Sequence, residues 1–525
     1  MSQKFESLSR IKNKGYHSLV MSAEEAVKKI PSGVNVGMSG FTGSGYPKEI
    51  PVALAARIRE EHAQNRPFKI GVWTGASTAP ELDGALAEVD GIEMRLPYQS
   101  DPTCRKKINS GKMQYMDIHL SHVAQHAWFG FYGKLNIAVI EVAGIREDGS
   151  LIPAGSVGNN KTWIDQADQV IIEVNYALSE KLDGMHDIYY GTALPPHRKP
   201  IPIVEVADRI GQPYYHCPAE KIIAIVETHG TDRVNVFTEP DAASKKIAEH
   251  ILNFLRDEVN KGVLPPNLLP IQSGVGNIAN AVMAGLNEGD FDNLTSYTEV
   301  IQDGMLNMIK SGKLVKVSAT SLSLSPAGLE ELNKNIDFYR ERIVLRTQEI
   351  SNHPEVVRRL GVIAINGMVE ADIYGNVNST HVMGSDIING IGGSGDFARN
   401  GFLCFFVRPS IAKGGDISGI VPMVSHVDHT EHDSQILVTE QGLADLRGLS
   451  PRQRAERIIE HCAHPDYRAE LRSYFERACA ENSGHTPHIL SEALSWHDRF
   501  NKTGSMKITA ASTDQVAASK DSETN

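Results

Sequence analysis

The chain has 525 residues, 41% of them hydrophobic and 22% charged, which is enough ordinary globular sequence for more than one core. Its 52 basic and 64 acidic residues leave a net charge of −12 with no long basic block, which disfavours nucleic acid or an anionic membrane as a partner. Five scattered cysteines without metal-type spacing read as reduced thiols, and no apolar run approaches the roughly 18 residues needed to span a bilayer. The first residues carry Lys4, Arg10, Lys12 and Lys14 but also Glu6, and lack an apolar stretch and a small-residue cleavage site. No secretory signal is expected there. A cytoplasmic setting is, with a mitochondrial one as the alternative for a eukaryotic source.

Apolar β-runs alternate with helical stretches throughout, the pattern of an α/β protein. Residues 34–40 predict a strand that leads through a Gly-rich turn into a helix from Lys48. The β-run 222–226 ends in the polar stretch 227–232, where a boundary between two halves is expected. Residues 268–286 then repeat the layout of strand, Gly-turn and small-residue helix, so two related α/β halves are expected. A second β-run, 295–304, carries Glu299 among β-formers. Further on, 451–482 is charged and helical in period, with Pro465 dividing it. The stretch 503–525, rich in Ser, Thr, Ala, Asp and Lys, is expected to be disordered.

The strand, turn and helix start at 268–286 supply backbone N–H groups converging on one spot. A carboxylate beside such donors can attack an acyl group while they hold the oxyanion, so Glu299 points to acyl-transfer chemistry. Gly274-Val275-Gly276-Asn277-Ile278-Ala279 also fits the G-x-G-x-x-A turn of a dinucleotide fold, with Glu299 about twenty residues on as the ribose-binding acid. A nucleotide-binding oxidoreductase and a CoA-binding protein without catalysis are therefore the distant alternatives.

Six segments in one order resemble the acetyl-CoA hydrolase/transferase family, a branch of the class I CoA-transferases. They are SGFTGSGYPKEIP (39–51), GVGNIANAVMAGL (274–286), SYTEVIQDGML (296–306), EISNHPEVVRRLGVIAINGMVEADIYGNVNSTHVMG (349–384), NGIGGSGDFARNG (389–401) and VTEQGLADLRGLSP (438–451). The resemblance covers nearly all of the chain and is nearest to the succinyl-CoA:acetate subgroup. It implies two similar open α/β domains, 1–228 and 229–502, with the active site in the cleft between them.

It also implies roles for particular residues. Glu299 is the nucleophile, passing through an acyl-glutamyl anhydride and a glutamyl-CoA thioester. The Val275 N–H and the Asn352 amide form an inner oxyanion hole, and the Gly393 N–H faces the acyl oxyanion on the outer side. Gly274, Val275, Gly276, Asn277, Ile278, Asn389, Gly393 and Lys413 contact CoA. The partners implied are an acyl-CoA and small carboxylates such as acetate and succinate, in a homodimer, with no cofactor beyond the CoA co-substrate. An acetyl-CoA hydrolase using the same glutamate is the near alternative.

Read on its own, Ser351-Asn352-His353-Pro354 before a helical run is also what a helix N-cap looks like. The Gly-rich run 389–397 suits an anion-binding nest or a plain hairpin. Glu440 is expected in a supporting hydrogen-bonding role. Arg233 fits either a substrate carboxylate or a junction ion pair. Two histidine groups, His119/His122/His126 and His426/His429/His432, lack a recognised zinc spacing, so no metal is expected. Residues 425–433 are expected as second-layer groups near the active site.

Overall fold

The structure is a computed structural model that describes residues 8–233 and 239–508. Two open, mainly parallel sheets organise it. The first runs Gln114–Tyr115, Ile92–Leu96, Ile70–Trp73, Asn35–Met38, Ile137–Ile145, Gln169–Asn175, Ile222–Thr228, with Leu151–Pro153 antiparallel against the central strand. All nine residues of Ile137–Ile145 are buried, because helices cover both faces of a parallel sheet and leave no solvent side for polar alternation. The second runs Gly442–Asp445, Ile436–Thr439, Leu403–Val407, Ile363–Gly367, Ile271–Ser273, Leu294–Tyr297, Leu314–Ala319, Ile343–Arg346, His186–Asp187. It is parallel except for its terminal hairpin. The α/β class and the paired layout therefore stand as the sequence suggested.

The edge strand of the second sheet comes from an unexpected place. His186–Asp187 lies upstream of the boundary expected near residue 228, yet pairs in parallel with Ile343–Arg346. The reason is a fully buried ion pair between Arg346 and Asp187, supported by Ile210 and Gly211 N–H groups donating to Asp187 Oδ1 at 3.0 and 2.6 Å. One apolar cluster accordingly runs from Trp73 and Trp163 through Ile188 and Tyr215 to Leu345, Ile365 and Phe405. The two sheets share a core.

Two other expectations need correcting. The run 295–304 is not one strand: Leu294–Tyr297 belongs to the large sheet, while Val300–Ile301 pairs with Ser321–Leu322 in a separate ladder. Disorder from residue 503 does not hold at its start. The helix Ser495–Thr503 ends in the left-handed Gly504, and Met506 is then buried, its N–H donating to Asp416 O at 2.8 Å. Residues 509–525, the rest of that stretch, lie outside the described residues. The division at Pro465 appears as the helices Pro451–His461 and Pro465–Glu481. Among the described residues no helix is long and apolar enough to cross a membrane.

Candidate active site

Glu299 occupies the gap between two strands, and that gap defines its setting. Leu294–Tyr297 leaves the large sheet at Thr298, whose N–H still donates to Ser318 O at 2.9 Å. The Glu299 carbonyl then accepts from Thr320 and Ser321 N–H at 2.9 and 3.1 Å. Pinned on both sides, the backbone turns the carboxylate out of the sheet into a cleft of about 370 Å³. Phe41, Thr42, Ala76, Tyr98 and Leu120 from the first half face Gly274, Val275, Met368 and the loop 388–394 from the second across this cleft. Among the described residues, Glu299 is the one lining residue with a formal charge.

Asn352 meets the carboxylate directly. It lies between the helices Gln348–Ser351 and Pro354–Leu360, and His353 rather than Asn352 occupies the N-cap position of the second. Its side chain is free of capping duty, and Nδ2 donates to Glu299 Oε1 at 2.7 Å. Gly393 presses on the same group. A Cβ built there would lie 1.9 Å from Glu299 Oε1 and 2.3 Å from Asn352 Nδ2, so the loop approaches this closely only because position 393 has no side chain. Burial pushes the Glu299 pKa up to about 7, with the Asn352 bond pulling the other way. Burial and the nearby Glu299 and Asp117 charges push the Tyr98 phenol up to about 12.

The turn after Ile271–Ser273 forms the other wall. Gly274 N–H donates to Ile365 O at 3.1 Å, and Gly276, at φ 121°, starts the helix Asn277–Glu288 without a side-chain cap. Gly274 and Val275 line the Glu299 cleft and also a second cavity of about 270 Å³, which Gly276, Asn277 and Ile278 border. The two spaces share Gly274, Val275 and Gly367 in their walls and so adjoin along this turn. Asn389 lines the cleft too, with its amide donating to Gly390 O and Ser379 O at 2.8 and 3.3 Å.

Three expected site residues lie outside both cavities. Lys413 is exposed on a short turn over the Phe500 ring at 5.0 Å. Arg233 pairs with Glu81, the junction ion-pair reading of that residue. Glu440 accepts from Ser410 N–H at 2.6 Å, from the Ser410 hydroxyl, and from Gln441 Nε2 at 3.0 Å. Burial raises its pKa, and these hydrogen bonds outweigh that and hold it below the usual carboxylate value. It braces the loop after Leu403–Val407.

The histidine groups have structural partners. His119, at the N-cap of Leu120–Trp128, meets His122 edge to face with ring centroids 5.6 Å apart, and His122 stacks on His126 at 5.4 Å. His429 is buried beside Ser394 Oγ at 3.1 Å, and desolvation lowers its pKa to about 4. Among the described residues no group of three or more His, Cys, Asp or Glu is arranged to hold a metal ion.

Sequence reasoning passed over two aspartates that hold groups at the cleft. Asp396, inside the GGSGDF motif, accepts from Ser121 N–H and Oγ at 2.9 and 2.6 Å and lies 3.4 Å from Asn352 Nδ2. Asp117 accepts from Ile391 N–H with both oxygens at 2.9 Å. Both are placed by contacts across hundreds of residues, so only the motif around Asp396 offered a signal.

With this geometry in hand, comparison with known proteins identifies the class. Family models for the acetyl-CoA hydrolase/transferase N-terminal and C-terminal domains match residues 5–227 and 328–475. The chain belongs to that family. It is 55% identical over 498 residues to succinyl-CoA:acetate CoA-transferase of Clostridium kluyveri, covering 95% of this chain and 92% of that one. It is 45% identical to propanoyl-CoA:succinate CoA transferase of Escherichia coli K12 (93% and 98% covered). It is 46% identical to acetyl-CoA hydrolase of Candida glabrata (95% and 97% covered). Among solved structures, RipA from Yersinia pestis has a TM-score of 0.69 at 22% identity, covering 88% of this chain and 98% of that one. 4-Hydroxybutyrate CoA-transferase from Porphyromonas gingivalis has a TM-score of 0.59 at 21%, covering 88% and 99%. These two show a shared fold.

Proposed function

We propose that the protein moves CoA between an acyl-CoA and a free carboxylate through Glu299, with succinyl-CoA and acetate as the pair. The observation that carries this is Glu299 itself, in a cleft between the halves with its oxygen 2.7 Å from an amide donor and against Gly393. A Glu299 oxygen attacks the thioester carbonyl, the C–S bond breaks, and CoA leaves as thiolate from a mixed anhydride. The thiolate attacks the Glu299 carbonyl, which expels the acid and leaves a glutamyl-CoA thioester. A second carboxylate attacks that thioester, and the same steps reversed deliver CoA to it. The cycle needs no net proton. Each tetrahedral stage puts negative charge on oxygen, which the Asn352 amide and the N–H groups of Val275 and Gly393 are suited to hold.

Hydrolysis would need water in place of the second acid, as the likeness to a hydrolase invites. Phe41, Ala76, Leu120 and Val300 form an apolar cluster at this site, with Tyr98 packed on it, and such a wall favours an organic acid over water. The test is intact mass after brief exposure to succinyl-CoA without acceptor. The expected result is a gain of one CoA less one water, absent in Glu299→Ala and discharged by acetate. Steady release of free CoA with no adduct would replace the transferase reading with the hydrolase.

A further inference from the structure

The Asn352 side chain is buried with an unequal set of partners. Its Nδ2 faces two carboxylates, Glu299 Oε1 at 2.7 Å and Asp396 Oδ2 at 3.4 Å. Its Oδ1 is buried with no hydrogen-bond partner among the described residues. The two ends of a primary amide are nearly the same shape, so the groups around it decide which end points where. Here only the carboxylates decide. One of them does not last: when Glu299 becomes an anhydride or a thioester, its charge is gone and its oxygens are poor acceptors. Asp396 stays. It is 4% exposed and locked by Ser121 N–H and Oγ from the opposite half.

We infer that Asp396 is a positioning residue, keeping the Asn352 nitrogen rather than its oxygen aimed at the reacting atoms after the Glu299 carboxylate has been consumed. A flipped amide would set Oδ1 against the oxyanion, turning a stabilising donor into a repulsive acceptor. Burial, with the Glu299 charge adding to it, pushes the Asp396 pKa up to about 7. Acylation of Glu299 removes that repulsion, so Asp396 ionises more fully at the stage when it acts alone. The inference rests on Glu299 being the nucleophile.

The test measures the rate of glutamyl-CoA formation by rapid-quench intact mass in the wild type, Asp396→Asn, Asn352→Ala and the double variant. Asp396→Asn is expected to slow adduct formation about 10²–10³-fold, the scale of losing one oxyanion donor. KM for the acyl-CoA should change by less than about threefold. The double variant should be no slower than Asn352→Ala, because Asp396 acts only through that amide. Losses that multiply, or an unchanged rate in Asp396→Asn, would overturn the inference and leave Glu299 as nucleophile. No adduct in the wild type would overturn both readings. If Asp396→Asn does not fold, Ser121→Ala removes one of the two donors that fix Asp396. It should cost about tenfold on the wild-type background and nothing on Asn352→Ala. Equal costs on both backgrounds would again overturn the inference.

Discussion

At the scale of single residues, the proposed role of Glu299 sets stability against reactivity, and pH separates the two. A free glutamate ionises at about 4.3, whereas burial holds this one up to about 7. Below about pH 4 it is protonated in both the folded and unfolded chain and contributes no difference. Between the unfolded and folded values the unfolded chain ionises first, so folding loses stability as pH rises and stays lower above pH 7. On the proposed mechanism activity runs the other way, because only the carboxylate form of Glu299 would attack. The acid limb of kcat/KM should therefore have its midpoint near 7, as a property of Glu299 together with the neighbouring Asp396. Glu299→Gln should form no adduct, yet melt at a higher temperature than the wild type at pH 8, with the gain shrinking toward pH 4. Rate profiles and calorimetry across that range check both halves of the claim; an acid limb near 4.5 would mean that the carboxylate is solvated. Glu299 and Asn352 were legible in the sequence because each sits in a long recognisable motif. The direct bond between them was not, since residues 53 positions apart leave no local sign of contact.

At the scale of elements, the glycine-rich loop is shaped by the opposite half of the molecule. Asn109 exchanges bonds with Ile387 N–H and O at 3.0 Å each, Arg105 donates to Ile388 O at 3.3 Å, and both Asp117 oxygens accept from Ile391 N–H. Leu120 N–H reaches Gly392 O at 3.4 Å. Four glycines in 390–395 leave that loop little stiffness of its own, so its conformation is set by the surface it lies on. Asp117 is the nearest to Gly393 of the three side chains that hold this loop. Burial raises its pKa to about 7, with the Ile391 bond opposing the rise. Asp117→Ala should raise KM for the acyl-CoA about tenfold or more, the worth of a bond to a charged acceptor, and affect kcat less. Hydrogen exchange over 387–393 should speed up in parallel, and an unchanged exchange rate would mean that the loop holds itself. The sequence showed the glycines and their two readings, nest or hairpin. It could not show that an aspartate 274 residues upstream selects the conformation.

At the scale of the whole molecule, repetition of strand, Gly-turn and helix was readable twice in the chain, at 34–55 and 268–286, and each copy supplies an interior strand of one of the two large sheets. What escaped was how firmly the halves are tied. A strand of two residues, His186–Asp187, has no periodicity to detect, and its partner Arg346 is 159 positions away. That small strand is held from both sides. Asp187 and Arg346 are 1% and 0% exposed, and Arg346 also donates to Ser318 Oγ at 2.7 Å and Val206 O at 3.2 Å. On the other side, His186 Nε2 lies 2.8 Å from Ala154 O, and Leu151 and Tyr215 exchange two backbone bonds of 2.9 Å, which fasten the same segment to the first sheet. Removing one partner of a buried ion pair strands the other charge, so Arg346→Ala should cost about 3–5 kcal/mol. The distribution of that loss tests the coupling. Three of the four tryptophans, Trp73, Trp128 and Trp163, lie in the first half, far in sequence from position 346. If the shared core makes the halves one cooperative unit, urea unfolding followed by tryptophan fluorescence and by far-UV circular dichroism should shift to lower denaturant together. A variant whose fluorescence midpoint stayed at the wild-type value while the circular dichroism split into two steps would show instead that the halves unfold independently.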